Sequence, residues 1–361
     1  MRKRLLVFPF NYNNYLLATN KELIKKYDVM AFVCTGNSPF NKKDAGIFVN
    51  KKTGIVISDS YLEEINKVDS VLLTSGLDEE FSDIYVEKIA IARKERKEIL
   101  VTKAVLKTLE AKNILLNEII CIDGEESEGI IDTDVLYDIN LPVIAVTGAG
   151  ENCEKFDVQL SINRIFTERN YKVFQIGSKE YASVFGMYNW PEFVFARDIS
   201  LPKKVLAFNA WIFQKILVEE PDIIILGIPG GIMPLNNRIY NYFGEVALVV
   251  SKALKVDVNV LSLYFNKDID KEFLKNYQEF CKYAINMPTN YFNISSNCFK
   301  YDEEKNEEKI ETFHLDSEYI EREFPQIVSS DIHIFNDCYR VGDGLSGDNI
   351  LREFLDNIEV I

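Results

Sequence analysis

Short apolar, β-branched runs alternate with longer charged stretches through the first 135 residues, and the alternation restarts after Leu141. That rhythm belongs to βαβ units, in which each crossover helix returns the chain to a mostly parallel sheet. In the first series the expected strands are Leu5 to Phe10, Val29 to Cys34, Ser70 to Thr74, Glu98 to Thr102 and Glu118 to Ile122. Tyr61 to Lys67 and Asp83 to Arg96 have helical spacing, and Gly46 to Ile57 reads as a hairpin turning near Lys51 to Gly54. The acidic stretch Asp123 to Gly129 and the break Asn140-Leu141-Pro142 interrupt the pattern. A second series follows, with strands Val143 to Thr147, Lys172 to Ile176, Asp222 to Gly227 and Val256 to Tyr264. Its helices are expected over Phe156 to Arg169, Lys203 to Glu219 and Tyr242 to Leu254. After Pro288 the character changes: Tyr291 to Tyr301, a polar turn Asp302 to Glu308, and Lys309 to His314 read as a β-hairpin, with a closing helix over Asp348 to Ile358.

A chain of 361 residues is too long for one ordinary core, which agrees with two domains and an appendage. Hydrophobic residues at 47% and charged residues at 27% are globular proportions. The net charge of -15, from 41 basic against 56 acidic residues, gives a negative potential that disfavours nucleic acid and anionic lipid as partners. Cys34, Cys121, Cys153, Cys281, Cys298 and Cys338 show no Cys-x-x-Cys pair and no His-linked spacing, so they read as reduced thiols without a zinc site. The apolar start is broken at Pro9 and reads as a first strand rather than a signal peptide. No apolar run approaches the roughly 20 residues of a membrane helix. A cytoplasmic protein is the expectation.

The strongest local constellation is Val143 to Gln159: an apolar strand, a loop bearing Gly148 and Gly150, Lys155, then an amphipathic helix. Glycines let backbone N–H groups approach a phosphate, the helix presents its positive end, and the lysine adds a mobile charge. Against the pattern G-x-x-x-x-G-K-[ST] the match is incomplete, because Glu154 stands where glycine is usual and Phe156 where a magnesium-binding hydroxyl is usual. The expected cofactor-binding residues here are Thr147, Gly148, Ala149, Gly150, Glu151, Asn152, Cys153, Glu154, Lys155, Phe156 and Asp157. Thr147 and Asp157 are the candidates to help hold a metal ion, although Asp157 reads equally as a first-turn acid complementing the helix dipole. No catalytic residue is assigned.

This loop resembles a relaxed version of those in the dethiobiotin-synthetase-like branch of P-loop proteins, where the first glycine also lies seven residues before the lysine. The domain order and the Gly148 to Lys155 spacing are similar to cyclic 2,3-diphosphoglycerate synthetase and to the P-loop family that includes D-glutamate N-acetyltransferases. The combination of Gly148-Ala-Gly-Glu-Asn-Cys-Glu-Lys-Phe-Asp-Val-Gln159 with Gln175-Ile-Gly-Ser-Lys-Glu180 resembles a clostridial family of peptide maturation system proteins, over nearly the whole chain. The resemblance implies a setting in natural product biosynthesis, with ribosomally made, modified peptides. Glu154 and Phe156 speak against ordinary kinase-like or ATPase chemistry.

With these motifs in place the expected class is α/β: a Rossmann-like domain over 1-138, a P-loop NTPase-like parallel-sheet domain over 139-288, and a small C-terminal α+β unit over 289-361. Ser178, Lys179 and Glu180, at the end of a strand beside the loop, either face the phosphate end of a ligand or form a plain solvated loop. Phe185, Tyr188 and Trp190 read as a lid or base-stacking wall, or as core. The strand from Asp222 runs into Gly227-Ile-Pro-Gly-Gly231 and lacks the acid that orders magnesium in a Walker-B strand. There Gly230 and Gly231 either bring amides to a ligand or serve a tight turn. In the first domain, Thr35 to Ser38, Asp44 to Gly46 and Thr74 to Gly76 are turns that either converge on a second crevice or merely connect. Cys153 reads as a loop filler or a nucleophile, His314 and His333 as structural, and Gly342 to Gly347 as a loop.

The functional expectation is binding of ATP or another nucleotide, with Mg2+ as an option, by a protein that activates or transfers a group in peptide maturation. The alternatives are a coenzyme A-dependent acyltransferase using the loop for pyrophosphate, and a non-catalytic scaffold. Expected partners are a small phosphorylated ligand and a precursor peptide or other maturation enzymes. A homo-oligomer is an option, and neither nucleic acid nor membrane is expected.

Overall fold

In the computed structural model, residues 2–49, 51–124, 129–236, 238–300, 311–338, 341–342 and 347–352 are described. The chain divides into two compact units, Met1–Glu126 with Lys179–Asn189, and Ser127–Ser178 with Trp190–Ile361. It is an α/β protein with a Rossmann-like sheet, a second, mostly parallel sheet of P-loop NTPase-like type, and α+β elements towards the C-terminus.

The first unit holds β1 (Lys3–Phe8), β2 (Tyr27–Val33), β3 (Ile57–Ser58), β4 (Ser70–Leu73), β5 (Glu98–Val101) and β6 (Ile119–Cys121). All pair in parallel in the order β3-β2-β1-β4-β5-β6, the doubly wound arrangement. Helices α1 (Leu16–Thr19), α2 (Tyr61–Ile65), α3 (Asp83–Lys94) and α4 (Lys103–Ala111) connect them. Strands covered on both faces need continuous apolar runs, and all four residues of β4 are buried. Leu6, Phe8, Val71, Leu73, Ile99 and Val101 pack with Ile89 of α3 and Leu109 of α4.

The hairpin expected over Gly46 to Ile57 is not formed. Among the described residues one antiparallel bridge, Asp44 with Val56, is present, and β3 pairs in parallel with β2. A carboxylate organises this loop instead: Asp44 accepts from the N–H groups of Gly46 (2.8 Å), Thr53 (3.0 Å) and Gly54 (2.9 Å) and from the Thr53 hydroxyl (2.7 Å).

The second sheet contains β7 (Val143–Gly148), β8 (Val173–Ile176), β9 (Ile223–Gly227), β10 (Val258–Leu263) and β11 (Thr289–Ile294). Past the hairpin strands β12 (Asn297–Lys300) and β13 (Glu311–His314), β14 (His333–Asn336) and β15 (Val341–Gly342) complete it in the order β15-β14-β11-β10-β7-β9-β8. Among the described residues of this sheet only the β14–β15 pair is antiparallel. Its helices are α5 (Lys155–Glu168), α6 (Leu201–Glu219), α7 (Glu245–Ala253), α8 (Lys271–Ala284) and α9 (Ser317–Glu323). Val158, Ile162 and Ile165 of α5 pack on Val146, Ile225 and Val260.

The segment expected as one hairpin arm over Tyr291 to Tyr301 divides in two. Its first part is β11, beside β10, and its second part, β12, pairs with β13 in register Asn297 with His314. The reason is burial: five of the six residues of β11 are buried, a pattern of central parallel strands that its polar letters conceal. The turn Asp302 to Glu308 lies outside the described residues. So do 125–128 of the acidic break, 343–346 of the Gly342 to Gly347 loop, and the closing helix beyond 347–352.

Candidate functional site: the loop between β7 and α5

β7 lies between β9 and β10, so the chain leaves it at the point where strand order reverses, the usual ligand crevice of such sheets. Every residue of β7 is buried, and the loop after it turns into the fourteen-residue α5. Two glycines are required by close approach rather than by freedom of φ. A Cβ on Gly148 would lie 2.4 Å from Cys153 Sγ and 2.9 Å from Lys155 Cδ, and one on Gly150 would lie 2.4 Å from Tyr264 Oη.

Four successive loop carbonyls are claimed by side chains. Ala149 O accepts from Asn241 Nδ2 at 3.1 Å, and Gly150 O from Lys155 Nζ at 2.5 Å and Cys153 Sγ at 3.1 Å. Glu151 O accepts from the Tyr264 hydroxyl, and Asn152 O from Asn297 Nδ2 at 2.6 Å. Backbone pairing outside the helix stops at Ala149 N, bonded to Ser262 O at 2.9 Å, and resumes at Val158 N, bonded to Glu154 O at 3.3 Å. The N–H groups of Gly150, Glu151, Asn152 and Cys153 are therefore not consumed by backbone pairing, and they stand at the positive end of α5. Carbonyls held by side chains and amides left over is the polarity an anion-binding loop requires. Asn152 (φ 56°) and Glu154 (φ 62°) take the left-handed conformation that lets the loop close over so few residues.

Lys155 is buried, with 7% of its surface exposed, and its ammonium bridges Gly150 O and, at 2.7 Å, Gly230 O. The lysine expected to supply a mobile charge is held in place by these two carbonyls. The residue closes the loop onto the turn after β9. Gly230 (φ 74°) contributes its carbonyl there, and Gly231 packs so closely that a Cβ would lie 2.5 Å from Ala149 O.

The remaining loop residues are engaged in the scaffold. Glu154 Oε2 accepts from Ser296 N at 2.7 Å, and Phe156 is buried. Cys153, fully buried, packs against the Gly148 backbone, which fits a filler better than a nucleophile. Burial pushes the Tyr264 hydroxyl above its ordinary pKa, with Cys153 and Glu151 adding to the shift, so it remains a donor to Glu151 O. Burial, followed by the charges of Glu154, Asp157 and Asp337, likewise raises the Cys338 thiol, which donates to Asp157 Oδ1 at 3.5 Å.

These placements do not fit a magnesium site of the usual P-loop kind. The Thr147 hydroxyl donates to Asn259 Oδ1 at 2.8 Å inside the sheet, Asp157 holds the Cys338 thiol, and β9 ends in Gly227 with no acid after it up to Gly231. Among the described residues no group of three or more His, Cys, Asp or Glu could hold a metal ion.

The strand-end residues 178–180 separate. Ser178 remains in the second unit, where its Cβ would sit 3.2 Å from a Cβ on Gly227, whereas Lys179 and Glu180 belong to the first. Lys179 Nζ donates to Asn13 Oδ1 at 3.2 Å, and Glu180 Oε1 accepts from Ser75 N at 2.9 Å and Ser75 Oγ at 2.8 Å. Phe185 is buried in the first unit, and Trp190 stacks on Phe208 in the second (5.4 Å, 11°) while its indole N–H donates to Gly227 O at 2.9 Å. Tyr264, Asn297 and Asn241, which orient the loop carbonyls, were not recognisable from sequence. Tyr264 lies just past β10, Asn241 lies in the turn before α7 and Asn297 opens β12, and none carries a motif.

No helix among the described residues is long and apolar enough to cross a membrane. No family model and no curated protein matches the chain. Among solved structures, the kinase domain of Escherichia coli tyrosine kinase ETK aligns at 15% identity over 45% of this chain and 72% of that one, with a TM-score of 0.29. Cobyrinic acid a,c-diamide synthase from Mycobacterium smegmatis with bound ADP and magnesium aligns at 11% identity over 45% and 76%, with a TM-score of 0.28. At those scores neither bears on this chain. A DUF1611 family protein from Anabaena variabilis aligns over 81% of this chain and 87% of its own, at 10% identity and a TM-score of 0.55, which is a likeness of fold.

Proposed function

We propose that the second unit binds a phosphorylated ligand, a nucleotide such as ATP, on the loop Gly148 to Lys155, and that the protein acts in the cytoplasm in maturation of a ribosomally synthesised peptide. The observation that carries the binding reading is the polarity of the loop: carbonyls 149 to 152 are held by side chains while the amides 150 to 153 remain unpaired by backbone at a helix N-terminus. A phosphate there takes those amides, and Lys155 exchanges the carbonyls of Gly150 and Gly230 for phosphate oxygens, a charge-assisted contact stronger than a neutral one. The peptide setting rests on the resemblance of residues 148–159 and 175–180, with a precursor peptide or another maturation enzyme as partner and activation or transfer of a group as the reaction. The engagement of Thr147 with Asn259 and of Asp157 with Cys338 favours one second reading, in which the loop grips the pyrophosphate of coenzyme A in an acyltransferase without a metal at those residues.

Calorimetric titration of the wild type and Lys155→Ala with ATP and with acetyl-CoA tests this. Loss of the ammonium is expected to weaken binding about ten- to a hundred-fold, from roughly 1.5 to 3 kcal/mol. Because Lys155 also satisfies two carbonyls in the ligand-free protein, the variant should lose about 1 to 2 kcal/mol of stability. Equal affinities in the two proteins would sink the phosphate-loop reading.

A further inference from the structure

The turn that leads into α7 takes a conformation that its residue types ordinarily avoid. Asn241, Tyr242, Phe243 and Gly244 have φ of 47°, 49°, 55° and 71°. An L side chain crowds the following carbonyl in this region, so it is visited by glycine or by single Asn residues, and consecutive bulky residues there are outliers. Such strain persists where the surroundings impose it, and it concentrates at ligand sites. Here the surroundings are the phosphate loop and the turn after β9. Asn241 Nδ2 donates to Ala149 O at 3.1 Å and to Met233 O at 2.8 Å, Phe243 N donates to Tyr240 O at 2.7 Å, and a Cβ on Gly244 would lie 2.1 Å from Ile232 O.

The result is an aromatic face turned to solvent. Tyr240, Tyr242 and Phe243 are 49%, 67% and 70% exposed, and the rings of Tyr240 and Phe243 stack at 5.4 Å with 13° between their planes. Core packing does not account for three large rings held outside at a cost in backbone strain. Their position does, because the residue between Tyr240 and Tyr242 is the one bonded to Ala149 at the start of the phosphate loop. The rings thus border the loop through Asn241, next to where phosphates on amides 150 to 153 would lie. Every nucleobase has a π-face that stacks on an aromatic side chain without a specific hydrogen bond.

We propose that Tyr240, Tyr242 and Phe243 form the stacking face for the base of a nucleotide whose phosphates lie on Gly148 to Lys155. This rests on the phosphate-loop reading. A purine, with the larger π-surface, suits it best, and adenine is common to ATP and to coenzyme A.

The test compares ATP with tripolyphosphate, which has the phosphates and no base, on the full-length protein. Tyr242→Asn and Phe243→Asn remove a ring while keeping a residue that tolerates left-handed backbone, and Tyr242→Gly and Phe243→Gly repeat the removal with no conformational cost. Each variant should bind ATP about ten-fold more weakly, the scale of one base–aromatic stack, and tripolyphosphate as the wild type does. Unchanged ATP affinity, or a parallel loss for both ligands, would overturn the stacking face and leave the phosphate loop standing. Failure of the wild type to bind either ligand would overturn both.

Discussion

Each of the two sheets has a switch point, and the chain treats them in opposite ways. In the first unit the crevice lies past the ends of β1 and β4, and the protein's own groups occupy its polar positions. Asn14 Nδ2 donates to Pro9 O at 2.7 Å and to Thr74 Oγ1 at 2.9 Å, and Asn11 Nδ2 donates to Ser75 O at 3.1 Å. The Ser75 N–H, the donor a bound anion would take, is already held by the carboxylate of Glu180, and Tyr181 and Lys179 tie the same segment to Asn13. In the second unit the side chains take carbonyls and leave amides. At the first switch point the donors that an anion would take are consumed, and at the second they are not consumed by backbone pairing. The turn Thr74 to Gly76, one of the candidates for a second crevice, falls on the paired side of that contrast.

The largest effect is expected from crowding the turn after β9 against the loop. Gly231→Ala would push a methyl against Ala149 O and within 2.4 Å of Asn241 Nδ2, which holds that carbonyl. A loss of roughly 1 to 3 kcal/mol of stability is expected, as for overpacking of a rigid site. ATP titration should show at least a ten-fold loss with it. Normal melting and normal binding would show that the loop is not held as described.

A smaller effect is expected from removing the carboxylate that fills the first switch point. Glu180→Ala leaves the N–H and hydroxyl of Ser75 without their acceptor, which should cost about 1 to 2 kcal/mol in urea unfolding. ATP binding by the second unit should not change. A loss of ATP affinity in this variant would mean that residues 179 and 180 serve the ligand after all.

The smallest effect is one of pH. Burial pushes the Asp44 carboxyl up, but the N–H groups of Thr53 and Gly46, the Thr53 hydroxyl and the N–H of Gly54 outweigh it and hold the group below the usual carboxylate range. A group with a depressed folded pKa stabilises the fold above its unfolded value, near 4, and loses that contribution as pH falls through the folded one. Asp44→Asn should therefore cost about 1 kcal/mol at pH 7 and progressively less below pH 4, read from urea midpoints across that range. A difference that grew on acidification would reverse the assignment.

What could be read from the letters alone was local or periodic. The apolar run Val143 to Val146 can only be a buried strand, and Gly148, Gly150 and Lys155 lie within a dozen residues of it, so the strand–loop–helix and its anion-binding bias are properties of one short segment. The same holds for the strands of the first sheet, whose continuous apolar runs announce cover on both faces. β11 escaped because Thr289, Asn290 and Asn293 lower its apparent hydrophobicity, and burial of Asn293 is offset by long-range bonds, its Nδ2 donating to Ser262 Oγ at 3.3 Å and its Oδ1 accepting from Asp337 N at 3.1 Å.

The orientation of the loop belongs to the tertiary structure. Its carbonyls are held by Asn241, Tyr264 and Asn297, which lie 92, 113 and 145 residues from their acceptors. Lys179 and Glu180 follow β8 in sequence yet belong to the first unit, because their partners Asn13 and Ser75 are 166 and 105 residues away. A hydrogen bond needs donor and acceptor within about 3 Å, and sequence spacing controls that distance only inside a turn, a helix or a hairpin. The letters of that segment were enough to join a buried strand through a glycine-bearing loop to a helix expected from Phe156, one residue past the observed start at Lys155. Which groups hold that loop's carbonyls was decided by the folding of Asn241, Tyr264 and Asn297 onto it.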